Sequence, residues 1–210
     1  MAWLAFTLYL TGILTAFVLR TWLHRRRTGD SGHRHSHPPT GSAAWWAQAL
    51  LGIGTLGGFI APLLDATGTL DPLPALHHPP IQVIGTAVAL IGFFGVYAAQ
   101  QAMGNSWRIG VDAAERTTLV TTGVFDLVRN PVFTAIITAM AGISAMTPTW
   151  AQLLALAAVV AGIELQARVV EEPYLRATHG TAYTDYTRRT GRFLPGLGRT
   201  TSTTGQRRSG

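Results

Sequence analysis

Charge disappears from this chain for long stretches at a time. Ala2 to Leu19, Gly41 to Leu64, Ile81 to Ala99 and Pro131 to Ile163 contain no Asp, Glu, Lys or Arg. A helix needs about 20 apolar residues to cross the ~30 Å hydrocarbon core of a bilayer, so each run predicts at least one spanning helix. The last run is different. Its 33 residues would make a helix of roughly 50 Å at 1.5 Å per residue, too long for one comfortable span. "MTPTW", Met146 to Trp150, puts a proline and small polar residues at its middle, which predicts two short helices joined by a tight turn. The expectation is an all-α polytopic membrane protein with five transmembrane helices, the last two a tight helical hairpin.

The cations choose between four spans and five. All 16 are arginine. With five spans, segments 20–40, 100–130 and 168–210 share one side and carry 5, 3 and 8 arginines, which is every one in the chain. Four spans would put the last eight outside, against the tendency of cationic loops to remain cytoplasmic. A secretory signal carries its charges before the apolar stretch, whereas Arg20, Arg25, Arg26 and Arg27 follow it here. The reading is a retained helix in a plasma membrane, with the N-terminus outside and the C-terminus and polar segments cytoplasmic.

Composition agrees with a lipid solvent. Only 12% of residues are charged and 48% are hydrophobic, against about 25% charged in soluble domains. The net charge of +6 lies beside apolar runs and not along a polar face, which fits anionic membrane lipids and excludes nucleic acid as the partner. The lack of cysteine removes disulfides, thiolate metal sites and cysteine nucleophiles. "GIGTLG", Gly52 to Gly57, has the glycine pattern of a dinucleotide loop but lies inside the second apolar run. There Gly54 and Gly58, four apart, predict close helix packing instead. "HRHSH", with His33, His35 and His37, sits among Gly, Ser and Pro and reads as a solvated loop, so no metal site is expected. His77 and His78 read as interfacial residues.

Two polar segments remain, Met103 to Phe133 and Glu164 to Gly196. Glu164 stands at the apolar end of the last run, where an ionisable group is costly by a few kcal/mol and needs a partner or a wet cavity. Arg168 is four residues on, Glu172 four beyond that, and Glu171 three from Arg168. These spacings allow an ion-pair ladder on one helix face. They equally allow one carboxylate to escape and face a ligand. In "RNPVF", Arg129 to Phe133, Asn130 is a good N-cap and Pro131 suits the first helical position. The amides at that helix start could also receive an anionic group.

The two segments together resemble the isoprenylcysteine carboxyl methyltransferase and phospholipid methyltransferase family of integral membrane enzymes. The first block is "LVTTGVF", Leu119 to Phe125, followed by "RNPVF", where the family has Arg-His-Pro-x-Tyr. The second is "EEPYL" (Glu171 to Leu175), "HG" (His179, Gly180), "YTDY" (Tyr183 to Tyr186) and "GRFLPG" (Gly191 to Gly196). The likeness covers Met103 to Gly196, about half the chain.

What the resemblance implies is methyl transfer from S-adenosylmethionine to a lipophilic small molecule or lipid drawn from the bilayer. By position, the cofactor site would use Asp112, Thr117, Thr118, Leu119, Val120, Phe125, Arg129, Asn130, Pro131, Val132, Phe133 and Glu171. Arg168, Glu171 and Glu172 would be the catalytic candidates. A carboxylate such as Glu171 suits the cofactor's ammonium or ribose, and helix-end amides or an arginine suit its carboxylate. An anionic acceptor needs no base; an amine or phenol would need one from Glu171, Glu172, Asp112 or Tyr183. Asn130 in place of histidine and Phe133 in place of tyrosine remove a titratable group and a hydroxyl. The implied organisation is a three-helix membrane region over 1–102, with a cytoplasmic loop at 20–40. A methyltransferase-like core follows over 103–198, then a disordered basic tail over 199–210. The rival readings are an NADPH-dependent membrane reductase of related architecture and a non-enzymatic assembly or transport subunit.

Overall fold

The computed structural model describes residues 1–32, 37–104 and 118–200. Among them the architecture is all-helical, without a strand. The first helical stretch, Ala2–Thr28, comprises α1 (Ala2–Ile13), a π-helical turn (Leu14–Leu19) and α2 (Arg20–Thr28). It therefore runs a full nine residues past the end of its apolar run. It stops where Gly29 takes a left-handed φ of 79° and donates its N–H to the Arg25 carbonyl at 2.9 Å, a conformation that glycine adopts at no steric cost.

Helix α3 (Ala43–Ala66) starts at Ser42, whose hydroxyl accepts from the Trp45 N–H at 3.2 Å. Helix α4 (Pro79–Ala102) starts on two prolines, which need no partner for a missing N–H. A short turn, α5 (Val124–Leu127), precedes α6 (Pro131–Met146). Helix α6 ends and α7 (Trp150–Leu165) begins across Thr147–Thr149, with Thr149 capping through the Gln152 N–H at 3.2 Å. A second π turn, Gln166–Glu171, leads into α8 (Glu172–Arg189). Gly180 interrupts α8 with φ 52° and ψ −120°.

Four stretches are long and apolar enough to cross a membrane: Ala2–Thr28, Ala43–Ala66, Pro79–Ala102 and Trp150–Arg189. Helix α6 is apolar but has only 16 residues, about 24 Å of helix. The chain does break where "MTPTW" predicts a turn, yet α6 and α7 do not rely chiefly on each other. Helix α6 packs on α4, and α7 packs on α3.

Between apolar helices in lipid, close approach of backbones replaces the hydrophobic effect as the cohesive term. The α4–α6 contact is built this way. A methyl added at Gly92 would lie 2.2 Å from the Ala139 nitrogen, and one at Gly142 would lie 2.2 Å from the Ala89 nitrogen. Gly54 seats Val159 and Ala155 of α7, and Gly58 seats Met140 and the Tyr9 ring. Gly54 and Gly58 thus serve packing, as their spacing predicts, while Gly52 faces open space. The core at this crossing gathers Ala5, Tyr9, Ala89, Met140, Ile143, Val159 and Ile163.

Candidate functional site

The start of α6 is held by the far end of the chain. Val128 and Gly191 form a parallel bridge. The Arg129 N–H donates to the Gly191 carbonyl at 2.8 Å, and the Asn130 N–H donates to the Arg192 carbonyl at 3.1 Å. The Arg192 N–H in turn reaches the Leu197 carbonyl at 2.8 Å, folding 191–197 into a compact loop. Gly191 must be glycine there, since an added methyl would lie 2.1 Å from the Leu194 carbonyl oxygen. Asn130 occupies the cap position without capping; its side chain donates to the Arg192 carbonyl at 3.4 Å. The Thr134 hydroxyl donates to the Phe193 carbonyl at 2.9 Å.

Charge reinforces this junction. The Arg129 side chain is 1% exposed. Its guanidinium donates to Glu172 Oε1 at 3.0 Å and to the carbonyls of Thr190 (2.6 Å), Gly198 (3.2 Å) and Thr187 (3.4 Å). Arg192 grips the same carboxylate with both prongs, Nε to Oε1 at 2.6 Å and Nη2 to Oε2 at 3.0 Å. A bidentate arginine–carboxylate pair fixes orientation as well as distance. Glu172 lies nine residues past Ile163, where the apolar run ends. Burial opposes its charge, but the hydrogen bonds from Arg192 and Arg129 outweigh that and hold the carboxyl below the ordinary range. The same hydrogen bond raises Arg192 above its ordinary value.

An aromatic brace lies alongside. The Tyr186 hydroxyl donates to the Phe125 carbonyl, and Thr190 Oγ1 donates to the Asp126 carbonyl at 3.5 Å. Tyr183 meets Tyr186 edge-on at 6.2 Å. Burial pushes the Tyr183 hydroxyl up to about 12, which makes it a poor base near neutrality.

The structure brings together some of the sequence-predicted residues and not others. Arg129, Asn130 and Glu172 meet directly at the junction, with Pro131 buried at the first position of α6. Thr118, Leu119, Val120 and Val132 are partly to fully exposed beside it; Phe125 is buried under the tyrosine brace. Phe133 packs with Phe193 against the apolar core. Glu171 is half-buried at the end of the π turn, next to Glu172. Arg168 is exposed and pairs with Glu164. Asp112 and Thr117 lie outside the described residues, as do His33 and His35.

The ion-pair ladder therefore forms only its first rung. A π turn carries i→i+5 hydrogen bonds and shifts the register of whatever follows. Across Gln166–Glu171 this sends Glu172 to Arg129 and Arg192 instead of Arg168. The residue that sequence reasoning missed is Arg192. Its signal was present, an arginine inside the closing "GRFLPG" of the second block.

The donor set suits S-adenosylmethionine. Two guanidiniums converge on one carboxylate beside the N-terminus of a 16-residue helix, a setting that can receive a ligand carboxylate. Arg129 Nε is buried without a partner among the described residues. Glu171, half-buried beside Glu172, could meet a positive ligand group. Those described residues hold no cluster of three or more His, Cys, Asp or Glu side chains that could take a metal ion.

A polytopic all-helical protein with a polar junction at one end is a class and not yet a family. Residues 81–182, from the first turn of α4 into α8, match the phospholipid methyltransferase family. The chain is also similar to the nickel-cobalt-cadmium resistance protein NccN of Alcaligenes xylosoxydans xylosoxydans, 30% identical over 115 residues. The match covers 54% of this chain and 53% of that protein, so the chain spans about half the length of the curated relative.

Proposed function

We propose that the protein transfers a methyl group from S-adenosylmethionine to a lipophilic acceptor held in the membrane. The observation that carries this reading is the junction itself. Within and just beyond a methyltransferase-family segment, the two blocks that resemble a cofactor site are joined by backbone pairing and by the Arg129–Glu172–Arg192 cluster. The bound cofactor supplies an activated methyl on a sulfonium. The protein's share is placement, because in-line displacement at a methyl carbon needs alignment more than a protein nucleophile. Asn130, Pro131, Val132 and the Leu119–Val120 strip would wall the cofactor. Arg192 or the α6 amides would receive its carboxylate, and Glu171 its ammonium or ribose.

The arginine distribution supports a fifth span through α6, with the N-terminus outside and the junction on the cytoplasmic side. The metal resistance named for the relative is carried over only as a growth condition, nickel, cobalt or cadmium stress, under which to look for the acceptor.

The test is calorimetry on detergent-purified protein with S-adenosylmethionine, using NADPH and the Glu171→Ala variant as controls. Micromolar binding that the variant loses, with no response to NADPH, is the expected result. Absence of binding by folded protein, with or without added lipid extract, would overturn the assignment. NADPH binding in its place would favour a reductase.

A further inference from the structure

We infer that the 191–197 loop is a membrane-surface anchor: its leucines enter the lipid, and the arginines beside it engage anionic headgroups. This anchor stands whether or not the protein transfers a methyl group.

Exposed apolar side chains are sharply sorted in this protein. Among the described residues, most of the large ones lie in the four stretches able to span a membrane. Outside those stretches only Met1, Leu76, Leu127, Leu194 and Leu197 remain. The last three all belong to the junction. Leu127 adjoins the Val128–Gly191 bridge, and Leu194 and Leu197 lie in the loop that follows it. They are 62%, 55% and 63% exposed. The backbone keeps them so, because the Leu197 N–H donates to the Leu194 carbonyl at 3.1 Å and the Leu197 carbonyl accepts from Arg192 at 2.8 Å. Apolar surface gathered at a fixed loop marks a place where something other than water belongs.

The neighbouring residue sets the depth. Phe193 packs against the apolar core, and its carbonyl accepts from the Thr134 hydroxyl at 2.9 Å. Ala135, next to Thr134, meets α4 at Gly95, where an added methyl would lie 3.1 Å from the Ala135 side chain. Gly95 is four residues inside the end of the uncharged run 81–99, about 6 Å along the helix at 1.5 Å per residue. The loop therefore dips beside the first turn of α6, inside the level where α4 leaves its apolar run. Leu194 is one residue on. A water-soluble partner does not reach that depth; lipid is already there.

Charge says which lipid. Arg189 and Arg199 are exposed on either side of the loop, and Arg188 is exposed while pairing with Asp185. The segment 199–210 carries Arg199, Arg207 and Arg208 and no acid. Against these stands Asp126, beside Leu127. Leucines flanked by a cationic excess match hydrocarbon beneath anionic headgroups, as in helices that lie at a membrane surface.

The chain has no cysteine, so one introduced thiol carries the only label. Leu194→Cys and Leu197→Cys are labelled with the fluorophore NBD in lipid nanodiscs, which leave both faces open to solution. Phe94→Cys, at a residue 72% exposed on α4, is the lipid reference, and Asp185→Cys, on α8, the aqueous one. In phosphatidylcholine–phosphatidylglycerol discs, doxyl-labelled lipid should quench both leucine sites at least half as strongly as the Phe94 site. Iodide should quench them at least threefold less than the Asp185 site. Leu127→Cys takes their place should a loop variant not fold. Discs of phosphatidylcholine alone, or Arg189→Gln with Arg199→Gln, should lower lipid quenching at the Leu194 site at least twofold. Iodide quenching equal to that at the Asp185 site overturns the anchor. Shielding from both quenchers means that protein covers the leucines, a second copy or the chain's own tail, and overturns it as well. Lipid quenching indifferent to both disc charge and the arginine variants overturns the anionic partner.

Discussion

Helix α6 is fastened twice, and the two fastenings have nothing in common. At its middle it meets α4 through Gly92, Ala139, Gly142 and Ala89, where backbones touch and side chains are almost absent. At its start it is held by a carboxylate shared between two arginines and by a strand-like backbone pairing with Gly191 and Arg192. The first works where lipid surrounds the helices and only van der Waals contact and small residues bring them together. The second works where water is near enough to ionise side chains yet excluded from the contact. One packs the helix against its neighbour; the other decides where its first turn points.

The comparison breaks most sharply at the charged end. Glu172→Ala leaves two guanidiniums facing each other, the Arg129 side chain at 1% exposure, and removing one partner of a buried ion pair costs about 3–5 kcal/mol. Denaturant titration in detergent should show a loss of that order. At the apolar end, Gly92→Leu must push α4 off α6, and overpacking of this kind costs about 1–3 kcal/mol. The same titration should show it with S-adenosylmethionine affinity largely retained in the folded fraction.

A subtler break is Arg192→Lys, which keeps the charge and loses the second prong. About 1.5 kcal/mol of stability should go with it, and calorimetry should find weaker cofactor binding than in the wild type. The smallest effect belongs to Arg168→Ala. Its pair with Glu164 is largely exposed, and such pairs contribute about 0–1 kcal/mol. Should turnover fall while stability holds, Arg168 touches the acceptor; if neither moves, it is an anchor at the helix end.

Acidity sharpens the same contrast. Glu172 has a lowered carboxyl value in the fold, so its contribution to stability is complete above the ordinary carboxylate range. It is lost as pH falls through the lowered value. Unfolding titrations on a falling pH series should show this loss in the wild type and not in Glu172→Gln, while Gly92→Leu keeps the wild-type slope.

Much of the fold could be read from the sequence because lipid imposes a simple rule. A run without charge must be a helix, and the runs from Ala2, Gly41 and Ile81 each became one. The break between α6 and α7 was readable for a similar reason, since Pro148 and its threonine neighbours cannot continue a helix cheaply. Which helices then pair was not readable. Small residues occur in every run, and nothing in the pattern says that α6 turns to α4 while α7 turns to α3.

At the site, the resemblance brought the two blocks together, and the structure joins them through Arg129 and Arg192. The partner of Glu172 was hidden because the π turn at Gln166–Glu171 cancels the i, i+4 arithmetic. Asn130 has the right residue type for a cap, yet it spends its side chain on Arg192, a contact 62 positions away that no local rule contains.

That distance has a consequence for how the protein is made. The chain emerges from its N-terminus, so Arg129 and Asn130 are already in place when the residues that hold them are still unmade. For 62 residues of synthesis the start of α6 has neither its backbone partner nor, until Glu172 appears, its counter-charge. The membrane helices can assemble in that interval, because Gly92 and Gly142 precede the delay or fall early in it. The junction cannot. A chain stopped at Thr190 would still offer Arg129 the Glu172 carboxylate and the Thr187 and Thr190 carbonyls, but would lack Gly191, Arg192 and Gly198, the backbone partner and second guanidinium that complete the junction.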